Sequence, residues 1–85
     1  MENLYAIFAD SNGKVREKLE NHFIASQSPL YIGIILKPSH GAWIRMSRAK
    51  TVVLEIDGKP GEFSVPYRIE VGENSIFFLK PREDA

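Results

Sequence analysis

Trp43 and Arg45 stand two apart in Ala42–Ser47, a segment whose apolar and polar residues alternate. Lys37, His40, Arg48 and Lys50 lie close by on either side. An aromatic ring among cations is suited to recognition: the ring offers a flat apolar surface, and the cations meet phosphates or carboxylates. In single-stranded nucleic acid binding each stacked base is worth about 1–3 kcal/mol, and the ionic part of the affinity falls with salt. The same residue types are enriched at the centres of protein interfaces. Between Asn21 and Leu54 there is no Asp or Glu, whereas four Lys or Arg fall there, so the net charge of zero conceals a basic middle and an acidic C-terminal part. Segregation of this kind bears on partners and not on fold.

Catalytic chemistry finds less support. The sequence has no cysteine, which removes thiolate nucleophiles, disulfides and cysteine-ligated zinc together. Its two histidines, His22 and His40, stand in no HxxxH or HExxH spacing, so no metal site is expected. Ser39 and His40 are neighbours, but nucleophile–base pairs are made by the fold and not by adjacency. Glu55 and Asp57 share one face of an expected strand, on its solvent side, where surface carboxylates are ordinary. Gly58-Lys59-Pro60-Gly61 lacks the GxxxxGK[ST] pattern of a phosphate loop, and no cofactor motif is visible.

The elements that must position these residues are read from periodicity and turn chemistry. Leu4–Ala9 is a short apolar strand, closed by the turn residues Asp10-Ser11-Asn12-Gly13. Lys14–Ala25 is read as a helix: Val15, Leu19 and Phe23 recur every fourth residue, Arg16 and Glu20 can pair at i,i+4, and the segment is rich in helix formers. The rival reading is a hairpin about Asn12-Gly13, with Val15, Leu19 and Phe23 on one face of a strand that Glu17 and Asn21 would interrupt. Ser26–Pro29 breaks the helix, since the residue before a proline avoids the helical region. Leu30–Lys37 is apolar on both faces, as in a doubly covered strand. Pro38–Gly41 is a turn, and Ala42–Ser47 a strand with Ile44 and Met46 inward and Trp43 and Arg45 outward. Thr51–Asp57 turns Val52, Leu54 and Ile56 inward. Phe63–Val71 alternates most cleanly, and Pro66 within it, unable to donate to a ladder, marks an edge strand or a bulge. Ser75–Leu79 closes the sheet, and the polar tail Lys80–Ala85 is expected to fray.

The expectation is therefore one small globular domain over residues 1–85, α+β and β-dominated. It has one short N-terminal strand, one helix at about 14–25, and then about five antiparallel strands as a meander or small open barrel. The N-terminus has no basic region followed by a long apolar run, so no signal peptide is expected, and no apolar run approaches the ~20 residues of a membrane span. A cytoplasmic protein follows as the expected setting. The functional expectation is a small non-enzymatic binding protein, a regulator or inhibitor that docks a protein partner through Trp43 and Arg45, with Lys37, His40, Arg48 and Lys50 as the rim. The alternatives are RNA or single-stranded DNA on that face, or a homodimer seam there.

Overall fold

The computed structural model describes residues 3–82. The first apolar run forms β1 (Leu4–Asp10), and the chain turns through Ser11-Asn12 into β2 (Gly13–Lys18). Asp10 Oδ1 accepts the Asn12 amide at 2.8 Å, the local side-chain turn for which Asp is suited. β2 pairs antiparallel with β1, with Phe8 opposite Val15 and Tyr5 opposite Lys18. The helix expected over 14–25 is thus replaced by β2 and β3 (His22–Gln27); the chain does turn in a hairpin, but about Ser11-Asn12, and Phe23 falls on β3 rather than on the strand of Val15. Helix propensity is a weak local preference; here it yields to a ladder that satisfies the free edge of β1. Arg16, expected to pair with Glu20, instead reaches Glu55 at 2.9 Å and lies over the Tyr5 ring at 3.6 Å. Its hydrogen bond to Glu55 holds the guanidinium above its ordinary pKa.

β4 (Leu30–Leu36) follows β3 as a second hairpin. Next comes α1 (Gly41–Arg48), in the segment read as an alternating strand. The pattern of Ala42–Ser47 satisfies both periods: Ala42 and Met46 are four apart and are the buried residues of the helix, while Ile44, expected to be inward, is 46% exposed. Arg45 and Arg48 in the last turn oppose the helix dipole favourably. β5 (Thr51–Ile56), β6 (Lys59–Val71) and β7 (Asn74–Pro81) then form a meander. Asp57 and Gly58, both at positive φ, make the two-residue turn between β5 and β6. The tail expected to fray is strand as far as Pro81, and the Arg82 amide donates to the Glu62 carbonyl at 3.0 Å; residues 83–85 lie outside the described residues.

All seven strands join one open antiparallel sheet in the order β2-β1-β5-β6-β7-β4-β3. The β-dominated class holds, with more strands than expected, and the meander is confined to β5–β7 between two outer hairpins. Leu4, Ala6 and Phe8 of β1 share one core cluster with Ile32, Ile34 and Leu36 of β4. Since these strands lie far apart in the order, the sheet curls around that core, and Ala42 and Met46 of α1 cover it. Among the described residues no helix is long and apolar enough to cross a membrane.

β6 is an interior strand, not an edge, and Pro66 sits in a bulge between Ser64 and Tyr67. The extra residue reverses the alternation that looked continuous in the sequence. Phe63 is buried on the core side, whereas Tyr67, Ile69 and Val71 emerge on the outer face at 43–51% exposure. Arg68 and Glu70 are carried to the side on which α1 packs. On the outer face Phe23 lies across Gly33, where an added Cβ would stand 2.5 Å from the ring. Absence of a side chain at Gly33 is what lets an aromatic of β3 reach over β4 to Phe78 of β7.

Candidate functional site

Trp43 projects from α1 toward β7 and is packed against the core rather than displayed to solvent. Its indole Nε1 donates to Ser75 Oγ at 2.9 Å, and the Ser75 hydroxyl donates to Glu70 Oε2 at 2.7 Å. Glu70 Oε1 receives Arg68 Nε at 3.0 Å. Arg68 also donates from Nη1 to Ser47 Oγ at 2.8 Å, and its guanidinium carbon lies 5.4 Å from the centre of the Trp43 ring, in range of a cation–π contact. The Ser47 hydroxyl in turn donates to the Trp43 carbonyl at 2.7 Å. A closed polar circuit therefore joins α1 to β6 and β7 around the tryptophan. Ser75 is fully buried, and no buried side-chain polar atom among the described residues lacks a partner.

The expected site residues are only partly brought together. Trp43 and Arg45 do not share a strand face, because the segment is helical. Arg45 turns away to Glu17 of β2, at 2.8 Å, with a second bond to the Gly41 carbonyl. Lys37 and His40 lie in the turn before α1, where His40 Nδ1 accepts the Lys37 amide at 3.0 Å and closes that turn. His22 opens β3 and donates from Nδ1 to the Leu19 carbonyl. Arg48 ends α1, and Lys50 follows it toward β5, both exposed. The cation that meets Trp43 is Arg68, which the sequence did not single out. Its signal was the bulge at Pro66: once parity reverses there, Arg68 must face the helix.

Two clefts of about 400 Å3 each flank the C-terminal half of α1. The first lies between α1 and the end of β1, against Phe8 and Asp10. The second has Trp43, Met46, Val65 and Phe77 as its apolar wall, with Ser47 and Arg68 beside them. Ile44, Arg48 and Ala49 border both. Arg48 makes no ion pair or hydrogen bond among the described residues, so an unpaired guanidinium stands on the shared lip. Volumes of this size are those of small-molecule sites. No group of three His, Asp or Glu among the described residues is placed to hold a metal ion.

No protein-family profile and no curated protein matches the chain. Its fold recurs in solved structures. A candidate oxidoreductase of Sinorhizobium meliloti superposes with a TM-score of 0.74 at 14% identity, over 94% of this chain and 41% of its own. A candidate flavin reductase of Haemophilus somnus gives 0.73 at 6% identity, over 96% and 78%. A flavin reductase solved in its native state gives 0.70 at 10% identity, over 96% and 77%. The chain thus spans about two fifths of the first protein and just over three quarters of the other two. At these identities the likeness is one of fold. It nevertheless corrects the expectation of a non-enzymatic regulator or inhibitor docking a protein, with nucleic-acid binding as its alternative: the scaffold is one on which oxidoreductases and flavin reductases have been solved. The expectation that the chain is not an enzyme is corrected on the same ground.

Proposed function

We propose that this chain binds a flavin nucleotide in the cleft beside α1 and serves flavin-dependent reduction. The observation that carries the reading is an apolar, aromatic cleft with an unpaired guanidinium at its lip, on a fold shared with two solved structures named as flavin reductases. A flavin mononucleotide is a flat apolar ring system joined to a dianionic phosphate, and the residues present fit both parts in kind. Trp43, Val65 and Phe77 supply the apolar wall. Arg48 would hold the phosphate, since a guanidinium can offer two parallel donors to such an anion. Arg68 is held in place by Glu70 and Ser47 and supplies a second positive edge beside the tryptophan. A bound flavin accepts two electrons as hydride and passes them on; the protein's part is to hold the ring, exclude water from one face and neutralise the phosphate.

The test is a titration of the purified chain with flavin mononucleotide and with riboflavin, followed by flavin emission and by the single tryptophan. The expected result is saturable quenching of both signals, with the mononucleotide bound roughly tenfold or more tightly than riboflavin, the scale of one charge-assisted hydrogen-bonded pair. Arg48→Ala should bring the mononucleotide down to the riboflavin level and leave riboflavin unaffected. Absence of any saturable change with either flavin would sink the proposal.

A further inference from the structure

The indole of Trp43 ends its hydrogen bond on a group that can pass a proton on. Nε1 lies 2.9 Å from Ser75 Oγ, and that hydroxyl donates onward to Glu70 Oε2 at 2.7 Å. Both separations are within the reach at which a proton moves between heavy atoms. A backbone carbonyl in place of the Ser75 hydroxyl would hold the ring equally well and stop the proton there; a hydroxyl accepts and donates at once. The relay also runs outward, since Trp43 is partly buried, Ser75 fully buried, and the Glu70 side chain 58% exposed. Strand pairing fixes its last link, with Glu70 opposite Ser75 across the β6–β7 turn. At its inner end the ring forms part of the apolar wall of the second cleft. The Arg68 guanidinium carbon stands 5.4 Å from the centre of that ring. A positive charge there disfavours a second one on the indole, and the partial burial of the ring limits screening of that repulsion. The Arg68–Glu70 pair at 3.0 Å acts the other way by weakening the base, but Glu70 is more than half in water, which screens it.

We propose that Trp43 is a proton-coupled one-electron donor to an oxidant seated in the second cleft, with Ser75 and Glu70 as the path by which its proton leaves. One electron passes from the indole to the oxidant. The Nε1–H bond breaks and its proton bonds to Ser75 Oγ, while the Ser75 O–H bond breaks and that proton bonds to Glu70 Oε2. The products are a neutral Trp43 radical, an intact serine, a protonated Glu70 and an oxidant reduced by one electron. No positive charge remains on the ring beside Arg68, so the repulsion that opposes simple electron loss is avoided. Return of the electron runs both proton steps backward and regenerates the site. The class of oxidant follows from the cleft: a planar aromatic that packs on Trp43 and Phe77 and accepts a single electron. A flavin ring excited by light is of that class. For its oxidant the inference therefore rests on the flavin reading, and light-driven reduction by Trp43 is an activity beyond it; the relay itself needs only residues of this chain.

Flash photolysis tests the relay and the oxidant separately. In the chain without flavin, a photo-excited ruthenium tris(bipyridine) complex with an irreversible electron acceptor supplies the oxidant. The expected transient is the neutral tryptophan radical, preceded only briefly by its radical cation, and Trp43→Phe abolishes both. Glu70→Gln keeps the size of the side chain but not its basicity, and should slow loss of the proton by roughly a hundredfold, the lower end of what a positioned base contributes. Heavy water should slow the same step in the unsubstituted chain, a readout that needs no variant. Proton loss equally fast in the unsubstituted chain and in folded Glu70→Gln, with no effect of heavy water, overturns the inference and leaves Ser75 as an anchor for the ring. With flavin mononucleotide bound, a flash should bleach the flavin absorption and raise the same neutral radical, again slowed by Glu70→Gln. A working relay in a chain that binds no flavin sinks the flavin reading alone. Bound flavin whose excitation yields no Trp43 radical overturns the donor role.

Discussion

The Ser75 hydroxyl joins two unlike groups, accepting the Trp43 indole N–H and donating to the Glu70 carboxylate. Ser75→Ala removes both bonds at a fully buried position and leaves the indole without its acceptor. A loss of about 1–2 kcal/mol is expected, the ordinary consequence of orphaning a partly buried donor. Urea unfolding followed by Trp43 emission checks it, and Ser47→Ala, which gives up a bond from the half-exposed Arg68 and one to the Trp43 carbonyl a helical turn back, should cost less, about 1 kcal/mol. The sequence pointed to Trp43 as the residue to watch but could not reveal its surroundings. Ser75 and Glu70 are brought to it by strand pairing across the β6–β7 turn, with Glu70 opposite Ser75 in register, and register is a tertiary property. Lys37, Lys50 and Arg48 were visible as exposed cations; that Arg48 alone stands on a cleft follows from where the helix ends.

α1 is tied to the sheet from both sides, by the Trp43 circuit toward β7 and by Arg45 to Glu17 of β2. The Arg45–Glu17 pair is about one third and one quarter exposed, so solvent screens it, and a double-mutant cycle of Glu17→Gln with Arg45→Ala should give a coupling of about 0.5–1 kcal/mol. Its value is positional: it fixes the rotation of a helix only eight residues long, too short to be stable alone. The two segments misread from the sequence fail for opposite reasons. Lys14–Ala25 is made of helix formers yet is needed as the partner of β1. Ala42–Ser47 alternates as a strand does, but Ala42 and Met46 also stand one helical turn apart, and only the core they cover decides between the two periods. Strands bounded by strong turn signals were legible: Leu30–Lys37, Thr51–Asp57 and Ser75–Leu79 fall within a residue or two of β4, β5 and the body of β7.

At the scale of the molecule, the charge segregation that led the reading of the sequence is redistributed by folding. The basic middle of the chain is spread over a turn and a short helix, with Arg45 already neutralised by Glu17. The outward turn of Tyr67, Ile69 and Val71 was hidden in the sequence, because these residues continue the inward run begun by Phe63. The bulge at Pro66 also has a consequence for kinship. Any comparison that runs straight through it, matching residue to residue, pairs positions bathed in solvent with positions facing the interior. A relative lacking that single residue would present Arg68 and Glu70 outside and Tyr67, Ile69 and Val71 within, so insertion or deletion at one point, with no substitution, exchanges the two surfaces of half a strand.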